Sequence, residues 1–139
     1  MDFGIKGKRA LVCAASRGLG FAIAKALAEE GVDLIISARD QEKLKQAVEV
    51  LSKLSTGKVE GVAGDLSAAA DRKKLIEITQ SQLGGVDILI HNVGGPKAQP
   101  AQSTSSHDWQ EAFDKLFLPI VELNQAFLPA MKEQKWGRI

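Results

Sequence analysis

Ala10-Leu11-Val12-Cys13-Ala14-Ala15-Ser16-Arg17-Gly18-Leu19-Gly20 decides the fold of this chain. A short apolar run ends in small residues and a Gly-x-Gly, and a helical pattern begins at once. Leu19, Ala22, Ile23, Ala26 and Leu27 keep the i, i+3, i+4, i+7, i+8 spacing that predicts one buried helix face. A strand feeding a tight turn into a helix leaves backbone N–H groups unpaired at the positive end of the helix dipole, which makes an anion site. Glycines let phosphate oxygens approach the backbone without meeting a Cβ. A turn of this kind also serves merely to join a strand to a helix, so its neighbours decide between the two readings.

Outward from that turn, strand and helix signals alternate. A strand over residues 9–14 leads to a helix over 18–30, closed by Gly31. Val32 to Ser37 reads as a second strand. Asp40 caps a helix whose Leu44, Ala47, Val48, Leu51 and Leu54 share a face, and Ser55-Thr56-Gly57 ends it. Lys58 to Ala63 is a third strand. Ser67 is placed to cap a helix over 68–83 with Leu75, Ile78 and Leu83 inward and Gly84-Gly85 as its stop. Val86 to His91 is a fourth strand, residues 94–107 form one long loop, a helical stretch over 108–134 follows, and Arg138-Ile139 reads as the start of another strand. This alternation predicts an α/β fold, a Rossmann-type doubly wound parallel sheet of strand order 3-2-1-4 with helices on both faces. Ligands then belong at the C-terminal ends of the strands.

Composition narrows the partners. The 139 residues suit one domain, and 45% hydrophobic with 25% charged residues argues against disorder. A net charge of +1 gives no reason to expect nucleic acid or an anionic membrane surface as partner. No apolar run reaches the length of a membrane span, and Met1 to Arg9 holds no signal-peptide core, so a cytoplasmic location is expected. Cys13 is the single cysteine and reads as a small buried hydrophobe. His91 and His107 are the only histidines and lack soft ligands beside them, so no metal site is expected.

Each strand end suits one part of a dinucleotide. The first carries the glycine turn, for a pyrophosphate. The second ends in Ser37-Ala38-Arg39, where a carboxylate would select the ribose hydroxyls of NAD and a cation selects the 2′-phosphate of NADP. Arg39, with Arg17 able to reach the same phosphate, favours NADP over a solvated surface charge. The third runs into Gly64-Asp65-Leu66, where the Asp is either a helix cap, a role Ser67 already fills, or a contact to the adenine amino group with Leu66 against the ring. The fourth ends in His91-Asn92-Val93-Gly94-Gly95. Asn92 can bridge neighbouring strands through its amide, and the glycines leave room for a ribose or nicotinamide.

Together these residues resemble the short-chain dehydrogenases/reductases over essentially the whole chain. Cys13 to Gly20 stands against the family's Thr-Gly-x-x-x-Gly-x-Gly, Asp65-Leu66 against its acidic strand end, and Asn92-Val93-Gly94 against Asn-Ala-Gly. Leu128-Pro129-Ala130-Met131 and Gly137-Arg138-Ile139 match the end of its fifth helix and the start of its fifth strand. The resemblance implies a single-domain, NADP(H)-dependent oxidoreductase acting on a carbonyl or alcohol, with 3-oxoacyl-thioester reductases as the nearest subgroup. It assigns cofactor contact to Ala14, Ser16, Arg17, Gly18, Leu19, Gly20, Arg39, Asp65, Leu66, Asn92, Val93 and Gly94. A non-catalytic NADP-binding sensor or regulatory module is the alternative, and a methyltransferase-like site is disfavoured by the two arginines, because its nucleoside ligand carries no phosphate.

Departures from the family pattern carry expectations of their own. Ala14 stands at the first glycine, so its backbone is expected at negative φ. His91 replaces a common Asn and reads as a polar strand-end residue rather than a base. The family's catalytic Asn position falls on Leu116, and Pro119, lacking an N–H, predicts a kink near 115–119 that leaves the Lys115 carbonyl free for a water. The family's Tyr, Lys and Ser belong beyond the fifth strand, and this chain contains no tyrosine. Residues 1–139 are therefore expected to be the NADP-binding portion of a longer enzyme, inactive as given and holding no catalytic residue of their own. The last helix carries more apolar residues than one stripe buries; the rest of the sheet would cover some of them, and the resemblance implies a homodimer or homotetramer formed through residues 108–134.

Overall fold

A computed structural model describes residues 2–139. Four parallel strands form one sheet: β1 (Arg9–Val12), β2 (Asp33–Ala38), β3 (Val59–Ala63) and β4 (Ile88–Ile90), in the order β3-β2-β1-β4. This is the anticipated order, and β1 sits centrally with Leu11 opposite both Ile35 and Leu89. Helices α1 (Gly18–Glu29), α2 (Gln41–Leu54) and α3 (Ala69–Leu83) make the crossovers. Leu89 N–H donates to the Arg138 carbonyl and Arg138 N–H to that of Asp87, so the chain end pairs in parallel beside β4.

The two-residue period of a strand sorts the core into two layers. Ala10, Val12, Leu34 and Ile36 face one way and pack with Ala24 and Ala28 of α1 and with Leu44, Ala47 and Leu51 of α2. Leu11, Cys13, Ile35 and Leu89 face the other way, against Leu75 of α3 and Leu123, Phe127 and Met131 of α5 (Leu118–Glu133). All of these are buried.

Local signals place the ends of α2 and α3. The Asp40 side chain accepts from Lys43 N–H at 3.0 Å and caps α2, and Gly84 closes α3 in the left-handed conformation. Two sequence expectations are corrected. The buried face of α1 is Gly20, Ala24 and Ala28, while Leu19, Ala22 and Ala26 lie exposed. Small residues allow a helix to approach the sheet closely, and alanines give a periodicity argument little to hold. Ser67 does not cap α3: Ala68 holds the cap position without a side-chain bond, and the Ser67 hydroxyl donates to Asp65 Oδ1.

The expected stretch over 108–134 is three pieces. Helix α4 (Ser106–Ala112) opens with a reciprocal Ser105–Asp108 capping box, which holds the Asp108 carboxyl at about 2. A π turn follows over Phe113–Phe117, then α5 with Pro119 in its first turn. Among the described residues no helix is long and apolar enough to cross a membrane.

Candidate functional site

Parallel strands bring all four C-terminal ends to one edge of the sheet, and the loops there, with the first turn of α1, hold the residues expected to contact the cofactor. The turn after β1 is stitched to both neighbouring strands. Cys13 N–H donates to the Ile90 carbonyl, Ala15 N–H to the Ser37 carbonyl, and Asn92 Nδ2 to the Ala14 carbonyl at 3.1 Å. Asn92 therefore does bridge strand ends through its amide.

Ala14 corrects the expectation of negative φ: it lies at φ +49. The turn needs the left-handed region there whatever residue occupies it, and an L-residue held so costs about 1 kcal/mol. Its carbonyl is aimed over Gly20, where a Cβ would stand 2.7 Å from Asn92 Nδ2 and closer still to the Ala14 oxygen. Only glycine fits that position.

Helix α1 opens without a side-chain cap. Arg17 holds the N-cap position in extended backbone and contributes no capping bond, and Gly18 follows at φ +60. The first N–H groups of the helix therefore have no side-chain cap, an arrangement able to receive an anion. Ser16 is half-buried and Leu19 is 69% exposed. At the end of β2, Ser37 and Ala38 are buried and Arg39 is exposed. Neither Arg17 nor Arg39 enters an ion pair among the described residues.

Beyond β3, Asp65 Oδ1 accepts from Ser67 N–H at 2.9 Å and from Ser67 Oγ at 2.8 Å. Those bonds hold the Asp65 carboxyl below the usual carboxylate range, with help from the Arg39 charge. Asp65 N–H donates to Asp71 Oδ2, and Leu66 is half-buried beside it. Beyond β4, Val93 is half-buried and Gly94 exposed. His91 Nε2 lies 2.8 Å from Asn124 Oδ1 of α5, and its Nδ1 is buried without a partner.

The π turn falls where a kink was expected. The Leu118 N–H reaches back five residues to the Phe113 carbonyl, and Leu116 lies inside the turn. A cavity of about 490 Å³ opens between this turn and the segment after β4, lined by Gly95, Pro96, Trp109, Ala112, Lys115 and Leu116. Cys13 is fully buried, and burial pushes its thiol up to about 11, which removes it as a nucleophile near neutral pH.

A sequence model described as short chain dehydrogenase matches residues 8–139. The chain belongs to that family. Among its short-chain dehydrogenase relatives, dehydrogenase/reductase SDR family member 4 of Caenorhabditis elegans is 37% identical over 135 residues, 96% of this chain and 52% of that protein. The 3-oxoacyl-(acyl-carrier-protein) reductase of Aquifex aeolicus is 31% identical, over 100% of this chain and 56% of its own length. The L-sorbose reductase of Gluconobacter frateurii, solved with NADPH and L-sorbose, superposes with a TM-score of 0.89 at 30% identity, covering 96% of this chain and 51% of that one. The chain spans about half the length of the curated relatives it matches.

Sequence reasoning passed over three side chains that organise these strand-end loops: Arg72, Glu122 and Asn124. Arg72 is 3% exposed and joins the loop after β3 to Glu122 of α5. Asn124 anchors His91. Arg72 did leave a signal, since it lies three residues before Leu75 on the inward face of α3. Its partner, 50 residues away, left none.

Proposed function

We propose that this chain forms the NADP(H)-binding part of an oxidoreductase that moves hydride between a nicotinamide and a carbonyl or alcohol. Arg17 and Arg39 carry the reading: both are exposed and free of ion pairs among the described residues, and they belong to the two strand ends that flank the uncapped start of α1. A pyrophosphate fits the N–H groups of Gly18, Leu19 and Gly20, where the missing Gly20 Cβ keeps the Ala14 and Asn92 contacts intact. The arginine forks take a 2′-phosphate, Asp65 and Leu66 the adenine, and Asn92, Val93 and Gly94 the ribose and nicotinamide. Ala14 and Ser16 shape the turn. The bound dinucleotide supplies or accepts the hydride. The residues of this chain bind and orient it, and the Tyr and Lys that move the proton are assigned to sequence outside residues 1–139.

The NADPH complex of the L-sorbose reductase supports the cofactor choice, and the likeness to the Aquifex reductase supports a 3-oxoacyl thioester among candidate substrates. Trp109, Phe113, Phe117 and Leu128 leave an exposed apolar face on α4, the π turn and α5, which favours self-association there. A cytoplasmic location completes the reading. Leu116 supports a second one, because a leucine offers no hydrogen bond to a proton relay: an NADP-binding sensor or regulator without turnover.

Titration of NADPH into the product of the complete gene, followed by nicotinamide fluorescence, tests the proposal. Saturable binding, tighter than that of NADH, is expected. Tighter binding of S-adenosylmethionine than of NADPH overturns it. Reduction of a carbonyl panel then separates enzyme from sensor.

A further inference from the structure

Arg72 is the one cation buried in this chain among the described residues, and its guanidinium is spent on two separate elements. Nε donates to Glu122 Oε2 at 2.6 Å and Nη2 to Glu122 Oε1 at 3.0 Å, a bidentate pair onto α5. Nη1 turns the other way and donates to two consecutive carbonyls of the loop between β3 and α3, Leu66 at 2.9 Å and Ser67 at 3.0 Å. Gly64 N–H donates to the Ala38 carbonyl where the loop leaves β3, and from Asp65 to Ala68 the remaining bonds are local: Ser67 to Asp65, Ala68 N–H to the Asp65 carbonyl, and Asp65 N–H to Asp71. Arg72 alone ties the Leu66 and Ser67 carbonyls to a distant part of the fold.

Stability does not require such an arrangement. Arg72 shares the inward face of α3 with Leu75 and Thr79, and a well-packed apolar pair between two helices stabilises about as well as a buried ion pair. A planar five-donor fork does give fixed direction. It holds a carboxylate side-on and a carbonyl pair end-on at once, which an ammonium group cannot copy. The Glu122 carboxyl is held below its usual range by this arginine.

We propose that Arg72, pinned by Glu122, is a positioning residue that fixes the Asp65-Leu66-Ser67 loop in the shape that receives the adenosine half of the dinucleotide. This rests on the assignment of Asp65 and Leu66 to the adenine. The clamp touches no part of the nicotinamide end, so its loss acts on one half of the ligand.

The test uses calorimetric titration of the complete gene product with 2′,5′-ADP, reduced nicotinamide mononucleotide and NADPH, comparing wild type with Arg72→Lys and Glu122→Gln. Arg72→Lys is expected to weaken 2′,5′-ADP and NADPH about tenfold, as loss of charge-assisted bonds to the loop implies, with the mononucleotide unchanged. Glu122→Gln keeps an acceptor for Nε and is expected to cost about threefold on the same two ligands, so it carries the test should Arg72→Lys fail to fold. Equal losses for the adenosine and nicotinamide halves, or a lowered Tm with unchanged affinities, overturn the clamp and leave a structural ion pair. A wild-type protein that binds none of the three overturns the cofactor reading itself, and the clamp with it.

Discussion

The two edges of the sheet are built to opposite specifications. At the N-terminal edge, Asp87 is 4% exposed and accepts from Arg9 N–H, from Arg9 Nε and Nη2, and from Gln134 Nε2. Gln134 also donates to the Trp136 carbonyl, and Lys8 and Arg138 both stand over the Trp136 ring, at 4.3 and 4.9 Å. Arg9 and Asp87 neutralise each other there, and the two further cations lie against an aromatic face. At the C-terminal edge, Arg17 and Arg39 have no ion-pair partner among the described residues, α1 starts uncapped, and Ala14 is held in left-handed backbone. One edge spends its polar groups on the fold. The other leaves the two arginines and the start of α1 without such partners and accepts local strain.

Four experiments sharpen or break this division. The largest effect is expected from Arg39→Asp, which replaces an attractive contact with a repulsive one. NADPH affinity should fall about 30- to 100-fold and NADH affinity far less, with Tm unchanged, measured by fluorescence titration and thermal unfolding. Equal losses for both nucleotides would show that Arg39 never reaches the 2′-phosphate.

Next comes Asp87→Asn, which should cost roughly 1–2 kcal/mol of stability after allowance for solvent screening while leaving NADPH affinity intact. The Asp87 carboxyl sits at about 2 in the folded chain against an ordinary 3.8, chiefly through its bonds to Arg9. A carboxyl depressed by folding contributes fully above its unfolded value and loses that contribution as pH falls. The wild-type acid limb between about pH 4 and pH 2 should therefore flatten in the variant, as read by urea unfolding across that range. Lost NADPH binding at neutral pH would erase the distinction between the edges.

Ala14→Gly should stabilise by about 0.5–1 kcal/mol, since relief of the left-handed alanine exceeds the added entropy of the unfolded chain. A fall in Tm would mean the alanine methyl makes a contact worth more than the strain. The smallest effect is at Cys13: a thiol reagent at neutral pH should modify it only on unfolding, and rapid labelling of the native protein would reveal an opening of β1.

What the sequence disclosed follows the range of each interaction. The Asp40 cap and the Gly31 and Gly84 stops rest on neighbours within a few residues, and strand order follows from the alternation of strands and helices, so these were legible. The left-handed Ala14 was not, because its conformation is imposed by Ser37 and Asn92 from other strands. The buried face of α1 was misread for a related reason: Ala22, Ala24, Ala26 and Ala28 are equally apolar, and only the sheet beneath decides which of them it covers. Arg72 and Glu122, or Arg9 and Asp87, 78 residues apart, meet only after the fold exists.

The π turn at Phe113–Phe117 carries an evolutionary consequence. One residue more than an α-helix needs rotates everything on one side of it by about 100° relative to the other. Helix α5 cannot absorb that rotation, because Leu123, Phe127 and Met131 are locked in the core. Helix α4 can, since it buries no residue. A single-residue deletion within 113–117 would leave α5 in place and swing α4 to a new heading, carrying Trp109 and the rim of the cavity with it. Length variation at this one turn is a low-cost route by which a lineage re-aims a binding wall while its sheet stays untouched.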